Sequence, residues 1–153
     1  MRRTEAAAEA FSVASGCPTE TLCVRGVLDA PIALMRLRAR IRAFAPNIVQ
    51  SWLYHADLFA TLARSAAPSA RLIWSLRNAD LAQEGRRDWA LLTRVLSRLS
   101  RSVDLAIGNA QVVLSDHAAL GYRPRADVLI PNGWVVEPPA SAITRQALRA
   151  DLG

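Results

Sequence analysis

Four times between Asp29 and Ile130 a stretch with helical periodicity gives way to a short apolar run of strand length. In the first unit Asp29 precedes a helix with Pro31 at its second position. Leu34, Leu37, Ile41 and Phe44 fall on one stripe before Pro46 stops it. Residues 48–53 read as the strand that comes next. A helix over about 55–66 stops before Pro68, and residues 71–76 read as the second strand. A longer helix over 86–100 turns Trp89, Leu92, Leu96 and Leu99 inward and leads to a strand at 103–108. The last unit is a helix over 110–120, with Gly121 placed to end it, and a strand at 127–130. Upstream, residues 4–14 fit a helix and residues 21–25 a short strand closed by Gly26.

Strands that alternate with helices through short connections require right-handed crossovers and parallel pairing. The expected class is therefore α/β, a Rossmann-like parallel sheet with helices on both faces. The 153 residues fit one domain, and a 52% hydrophobic, 21% charged composition supports a real core rather than a disordered tail. No apolar run approaches the roughly 18–20 residues that a membrane-spanning helix needs. The N-terminus opens with Arg2 and Arg3, but Glu5 and Glu9 stand where a signal peptide needs an unbroken apolar stretch, so no secretory signal is expected. Cys17 and Cys23 lack a Cys-x-x-Cys spacing, and the two histidines, His55 and His117, lie far apart. No zinc framework is expected, and the thiols read as reduced and partly buried in a cytoplasmic protein.

The formal charge is +6, and the chain contains no lysine. Arginine without lysine, beside abundant Ala and Leu, fits the coding bias of a GC-rich genome better than a nucleic-acid surface, which mixes both cations. A weak pull toward phosphates or lipid headgroups remains. Arg36, Arg38, Arg40 and Arg42 fall outside the apolar stripe of their helix and read as a solvated face, with anionic ligand binding as the minority reading.

Parallel α/β sheets bind ligands beyond the carboxyl ends of their strands. Here those segments are Tyr54-His55, Arg77-Asn78-Ala79-Asp80, Asn109 and Asn132-Gly133, all polar. The sequence has no Gly-x-Gly-x-x-Gly, no Gly-x-x-x-x-Gly-Lys-Ser/Thr and no Gly-x-Ser-x-Gly, so the common phosphate cradles and the hydrolase elbow are absent.

These segments carry a resemblance in their order. Pro46-Asn47-Ile48-Val49-Gln50-Ser51-Trp52-Leu53-Tyr54-His55-Ala56-Asp57-Leu58, then Ile73-Trp74-Ser75-Leu76-Arg77-Asn78-Ala79-Asp80-Leu81, then Gly121-Tyr122 and Ile130-Pro131-Asn132-Gly133-Trp134 resemble the N-terminal, acceptor-side domain of family 4 glycosyltransferases. These are retaining enzymes of the GT-B fold. The resemblance implies that the loops after residues 48–53 and after Leu76 line the cleft where an acceptor hydroxyl meets the sugar nucleotide. Many relatives carry histidines where this chain has Gln50 and Trp52, and His-Gly or a similar pair where it has Arg77-Asn78.

By the same resemblance, residues 1–133 form the N-terminal-like domain, without the family's first strand and Gly-rich loop. In a 3-2-1-4-5-6 order that strand would sit at the middle of the sheet. Residues 134–153, with a helical segment at 141–152, form a linker toward a donor-binding domain outside this chain. A nucleotide-sugar donor and a glycan or lipid-linked acceptor are the implied partners. No cofactor or metal belongs to this half, no specific nucleic acid is implied, and membrane contact is at most peripheral, at the inner face. A donor domain elsewhere, or self-association, would complete it.

The candidate acceptor-cleft residues are Tyr54, His55, Arg77, Asn78, Asn109, Asn132 and Gly133, and the catalytic group is left unassigned. His55 stands where it can hydrogen-bond a hydroxyl or phosphate near a helix N-terminus, or simply cap that helix. Arg77 and Asn78 suit a phosphate or sugar hydroxyl, or else a loop ion pair and a turn. Asp80 reads as a helix cap. Asn132-Gly133 reads as a turn that can also line the cleft. Tyr54 and Trp52 can stack on a sugar, though Trp52 reads as core, as do Trp74 and Trp89. His117, beside Asp116 in a helix, reads as solvated. A competing function is a non-catalytic Rossmann-like binding or interaction module whose basic surface meets nucleotides, nucleic acid or an acidic partner.

Overall fold

A computed structural model of the chain describes residues 10, 12–14, 16–24, 26–78, 87–133 and 149–150. Helix α1 (Ala30–Phe44) begins at Asp29 with Pro31 in its first turn, where a missing N–H costs nothing. Its end is enforced locally. Ala45 turns left-handed at φ 49°, donates its N–H to Ile41 O, and is followed by Pro46. Strand β1 (Ile48–Trp52) stops at Leu53, whose φ of 71° breaks the extended run before helix α2 (Tyr54–Ala63).

Strand β2 (Arg71–Leu76), helix α3 (Arg87–Leu99), strand β3 (Leu105–Gly108), helix α4 (Gln111–Ala119) and strand β4 (Asp127–Leu129) complete the alternation. The sheet is parallel and runs β1-β2-β3-β4 without reversal, with Ile48 beside Arg71, Ile73 beside Leu105 and Ala106 beside Asp127. Three right-handed crossovers in one direction place their helices on one face. The core lies there: Leu72, Trp74, Leu76 and Ala106 pack with Tyr54, Leu96 and Val113, while Val49 also meets Leu34, Leu37 and Ile41 of α1. The opposite face carries Ile48, Gln50, Trp52, Val128 and Ile130, all exposed, and a buried Ser75 that accepts from Gln50 Nε2 at 2.8 Å.

Two devices fix this frame at its ends. Asp104, at the start of β3, accepts from Leu72 N–H at 2.9 Å and from Arg64 at 3.0 Å, while its own N–H bonds Leu72 O. At the end of α4, Gly121 (φ 89°) donates to Ala118 O and Tyr122 to His117 O, the paired bonds of a Schellman motif.

The expected α/β class, a Rossmann-like parallel sheet, is the one observed, but among the described residues the helices cover one face of the sheet and not both, because the strand order does not reverse, and several local readings change. Residues 21–24 form no strand: Cys23 adopts φ 53°, which β pairing does not tolerate. Phe44 is 82% exposed, because α1 ends before its stripe reaches a neighbour. Trp52 is half exposed rather than core, since its face of the sheet is the open one. Cys17 and Cys23 are exposed and not partly buried. The helices at 4–14 and 141–152, the linker at 134–153 and the Asp80 cap lie wholly or mostly outside the described residues.

Candidate functional site

Because all four strands run the same way, their carboxyl ends share one edge, and the polar segments read from the sequence gather along it. Arg77, one residue past β2, donates from Nη1 to Asn132 Oδ1 at 2.6 Å, tying the loop after β2 to the segment after β4. Both side chains are exposed, so the guanidinium keeps donors for a ligand. Asn78 is next, also exposed, and its carbonyl accepts from Tyr54 Oη at 3.4 Å. His55 is exposed at the start of α2, its ring edge-on to Trp89 at 5.6 Å between centroids. Asn109 is half-buried just past β3, with a buried Oδ1 that has no hydrogen-bond partner among the described residues. Gly133 has open space where a Cβ would stand and no positive φ, so nothing local demands glycine there.

Tyr54 is no surface platform. It is buried at the top of α2, edge-on to Trp89, with Oη 3.3 Å from His117 Nε2. His117, expected in solvent, is 1% exposed, because Val113, four residues earlier on the same face of α4, is also core. Its Nδ1 lies 2.7 Å from Val113 O and its ring meets Tyr122 edge-on at 4.8 Å. Burial lowers its pKa against the raising effects of that carbonyl and Asp116.

Asp57, one turn after Tyr54, is equally buried. Its Oδ1 accepts from Ser51 Oγ at 2.6 Å, while Oδ2 has no hydrogen-bond partner among the described residues. Desolvation pushes its pKa up to about 7, with the Ser51 bond opposing. The Tyr122 hydroxyl, also buried and without a hydrogen-bond partner among the described residues, is pushed well above the usual phenol range by burial and then by Tyr54 and Asp57. Ser51, Tyr54, Asp57, His117 and Tyr122 thus form a polar interior directly beneath the loops. Strand-end position marks Tyr54 alone, and the family segments that contain Ser51, Tyr54, Asp57 and Tyr122 do not mark this interior as buried. Its signal in the sequence is the spacing of Val113 with His117 and of Tyr54 with Asp57, which sets polar groups on inward stripes.

A cleft of about 890 Å³ opens between α1, α2 and the outer edge of β1, lined mostly by apolar side chains such as Val24, Leu37, Val49, Trp52 and Phe59, and reaching His55. Among the described residues no group of three His, Cys, Asp or Glu can hold a metal ion, and no helix is long and apolar enough to cross a membrane.

The sequence pattern of Glycosyltransferase Family 4 matches residues 7–137. Among solved structures, the chain is similar to Anabaena HepE, crystallised in complex with UDP and glucose, with a TM-score of 0.69 at 18% identity. The similarity covers 94% of this chain and 39% of HepE, so the chain spans well under half the length of that protein. No curated protein matches it by sequence.

Proposed function

This chain belongs to glycosyltransferase family 4, and from that premise we propose that it is the acceptor-side portion of a retaining glycosyltransferase. The complete enzyme moves a sugar from a nucleotide-sugar donor to a glycan or lipid-linked acceptor. The observation that supports this reading is the Arg77–Asn132 hydrogen bond, which sets a cation between two loops at the carboxyl edge of the sheet. His55 and Asn78 stand on the same edge.

In this role the chain contributes position and charge. Arg77, oriented by Asn132, offers charge-assisted donors to a phosphate or a sugar hydroxyl. His55 and Asn78 each offer a donor and an acceptor to hydroxyls. The buried Tyr54 braces the Asn78 backbone from below, so the loop that presents Arg77 and Asn78 rests on the packed interior. Holding an acceptor hydroxyl against the face of the sugar from which the nucleotide departs is worth several orders of magnitude in rate.

The test is transfer of radiolabel from a panel of nucleotide sugars by the chain alone and by the chain fused to a family donor domain. The expected result is transfer by the fusion and none by the chain alone. Turnover by the chain alone on the order of 1 per second or faster overturns the division of labour. A folded fusion that transfers nothing, yet shows a chain that binds arbitrary DNA with steep salt dependence, favours a basic binding module instead.

A further inference from the structure

Strand β1 ends the sheet, and no strand of the described residues lies along its outer edge. Asn47 O accepts from Arg71 N–H at 2.9 Å on the β2 side. Alternation along the strand therefore turns the N–H and C=O groups of Val49 and Ser51 toward β2, and those of Ile48, Gln50 and Trp52 outward. Sheet edges are ordinarily blunted by charge, proline or a bulge. The run Ile-Val-Gln-Ser-Trp carries no charge and no proline, and it pairs with β2 in unbroken register.

This edge is not a flat rim. It forms one side of the apolar cleft of about 890 Å³, with Val49 and Trp52 on the strand and Leu22, Val24, Leu37 and Phe59 among the residues around it. The chain has 19 basic and 13 acidic residues, yet none of the described ones lines this cleft, where His55 is the one titratable group. A charged ligand finds no counter-ion there. A purely aliphatic ligand would cover the outward N–H and C=O groups and leave them unpaired, which is costly. An extended peptide meets both demands, because its backbone pairs with the edge while uncharged side chains, pointing alternately to either side, fill the apolar space. A second copy of the chain is a poorer occupant: its β1 edge is recessed between α1 and α2 in the same way, and two recessed edges do not meet.

We propose that this edge takes a β-strand from a separate polypeptide, an extended and uncharged apolar segment of about five residues that pairs with Ile48, Gln50 and Trp52 and fills the cleft beside them. The proposal stands on the geometry of the sheet and does not depend on the transferase reading.

The test is fluorescence polarisation of the full chain with labelled peptides whose cores, Val-Ile-Val-Thr-Val and Val-Leu-Ile-Thr-Val, lie between Gly-Ser ends, together with amide exchange followed by NMR. The expected result is saturable binding that slows exchange of the Gln50 and Trp52 amide hydrogens at least about tenfold. Binding should persist at an ionic strength of about 0.5 M, because no charge takes part. Gln50→Pro removes an N–H that β2 does not use, so it should weaken binding at least about tenfold, whereas Gln50→Ala should bind as the wild type does. Methylation of every core amide nitrogen of the peptide should abolish binding, and it serves as the check if the proline perturbs folding. Absence of saturable binding by both peptides, or wild-type binding by the folded Gln50→Pro variant, overturns the proposal. So does equal binding of the methylated peptide, because the cleft then takes apolar matter without backbone pairing. A peptide-free dimer that Gln50→Pro dissociates also overturns it, because a second copy then covers the edge.

Discussion

Ser51 Oγ donates to Asp57 Oδ1 across 2.6 Å inside the protein, joining the end of β1 to the first turn of α2. Burial dominates that bond and holds the Asp57 pKa at about 7. A carboxyl whose folded value is raised favours the protonated native state. It contributes stability that is full below the unfolded value of 3.8 and is lost as pH rises to about 7. His117 works in the opposite sense: its lowered pKa gives stability present above 6.5 and lost as pH falls. The two overlap, so the informative quantity is wild type against Asp57→Asn, which keeps an acceptor for Ser51. The variant should gain relative stability, by up to about 4 kcal/mol, between roughly pH 4 and pH 7, and none above. Urea unfolding at a series of pH values measures this, and a difference independent of pH contradicts it.

Gly108 ends β3 with no room for a side chain. A Cβ there would lie 2.5 Å from Leu114 Cγ and 2.7 Å from its Cδ2. Gly108→Ala should cost about 1–3 kcal/mol through overpacking. Adding Leu114→Ala should restore part of that loss, so that the double variant is more stable than the sum of the single changes implies. Additive losses in thermal or urea unfolding contradict the contact.

Asp104 binds the Leu72 N–H with one oxygen and Arg125 with the other, so truncation orphans several donors at once. Asp104→Ala should lower unfolding free energy by about 2–3 kcal/mol. The Leu72 N–H, aided by Arg64, Arg125 and Arg71 against the cost of burial, holds its pKa below the ordinary carboxylate value. Its stabilisation is therefore present above 3.8 and lost as pH falls, and the wild type should lose more stability than the variant in acid.

With a donor domain supplied, Arg77→Ala and His55→Ala should each reduce transfer by roughly tenfold or more. Far-UV circular dichroism should stay unchanged, as both side chains are exposed. Asn132→Ala should act in the same direction as Arg77→Ala but more weakly, because it frees the guanidinium from its 2.6 Å anchor without removing it. Full activity of the Arg77 and His55 variants would assign these residues to structure alone.

The α/β alternation is legible in the sequence because each unit carries its own period and its own stop: Pro46, Pro68 and Gly121 each fall at or just beyond the end of a helix. The strand expected at 21–25 does not form because β-branched and apolar residues mark strands only where a neighbour pairs with them. The exposed Arg77, Asn132 and His55 are found by position alone. His117 looks solvated in the sequence because Asp116 stands beside it, whereas Val113 four residues earlier shares its inward stripe. The pairing of Arg77 with Asn132 spans 55 positions, and no local pattern encodes it.

The unreversed strand order also governs how the chain finds its structure. Each strand pairs with its successor: Ile48 meets Arg71, Ile73 meets Leu105 and Ala106 meets Asp127. Among the described residues no strand pairing therefore closes a loop of more than about 35 residues, which keeps the entropy of closure low for a parallel sheet. Each unit can add to the one before it as the chain leaves the ribosome, β1 serving as template for β2 and so on toward β4. Assembly is vectorial, and a unit once seated never has to open to admit a later one.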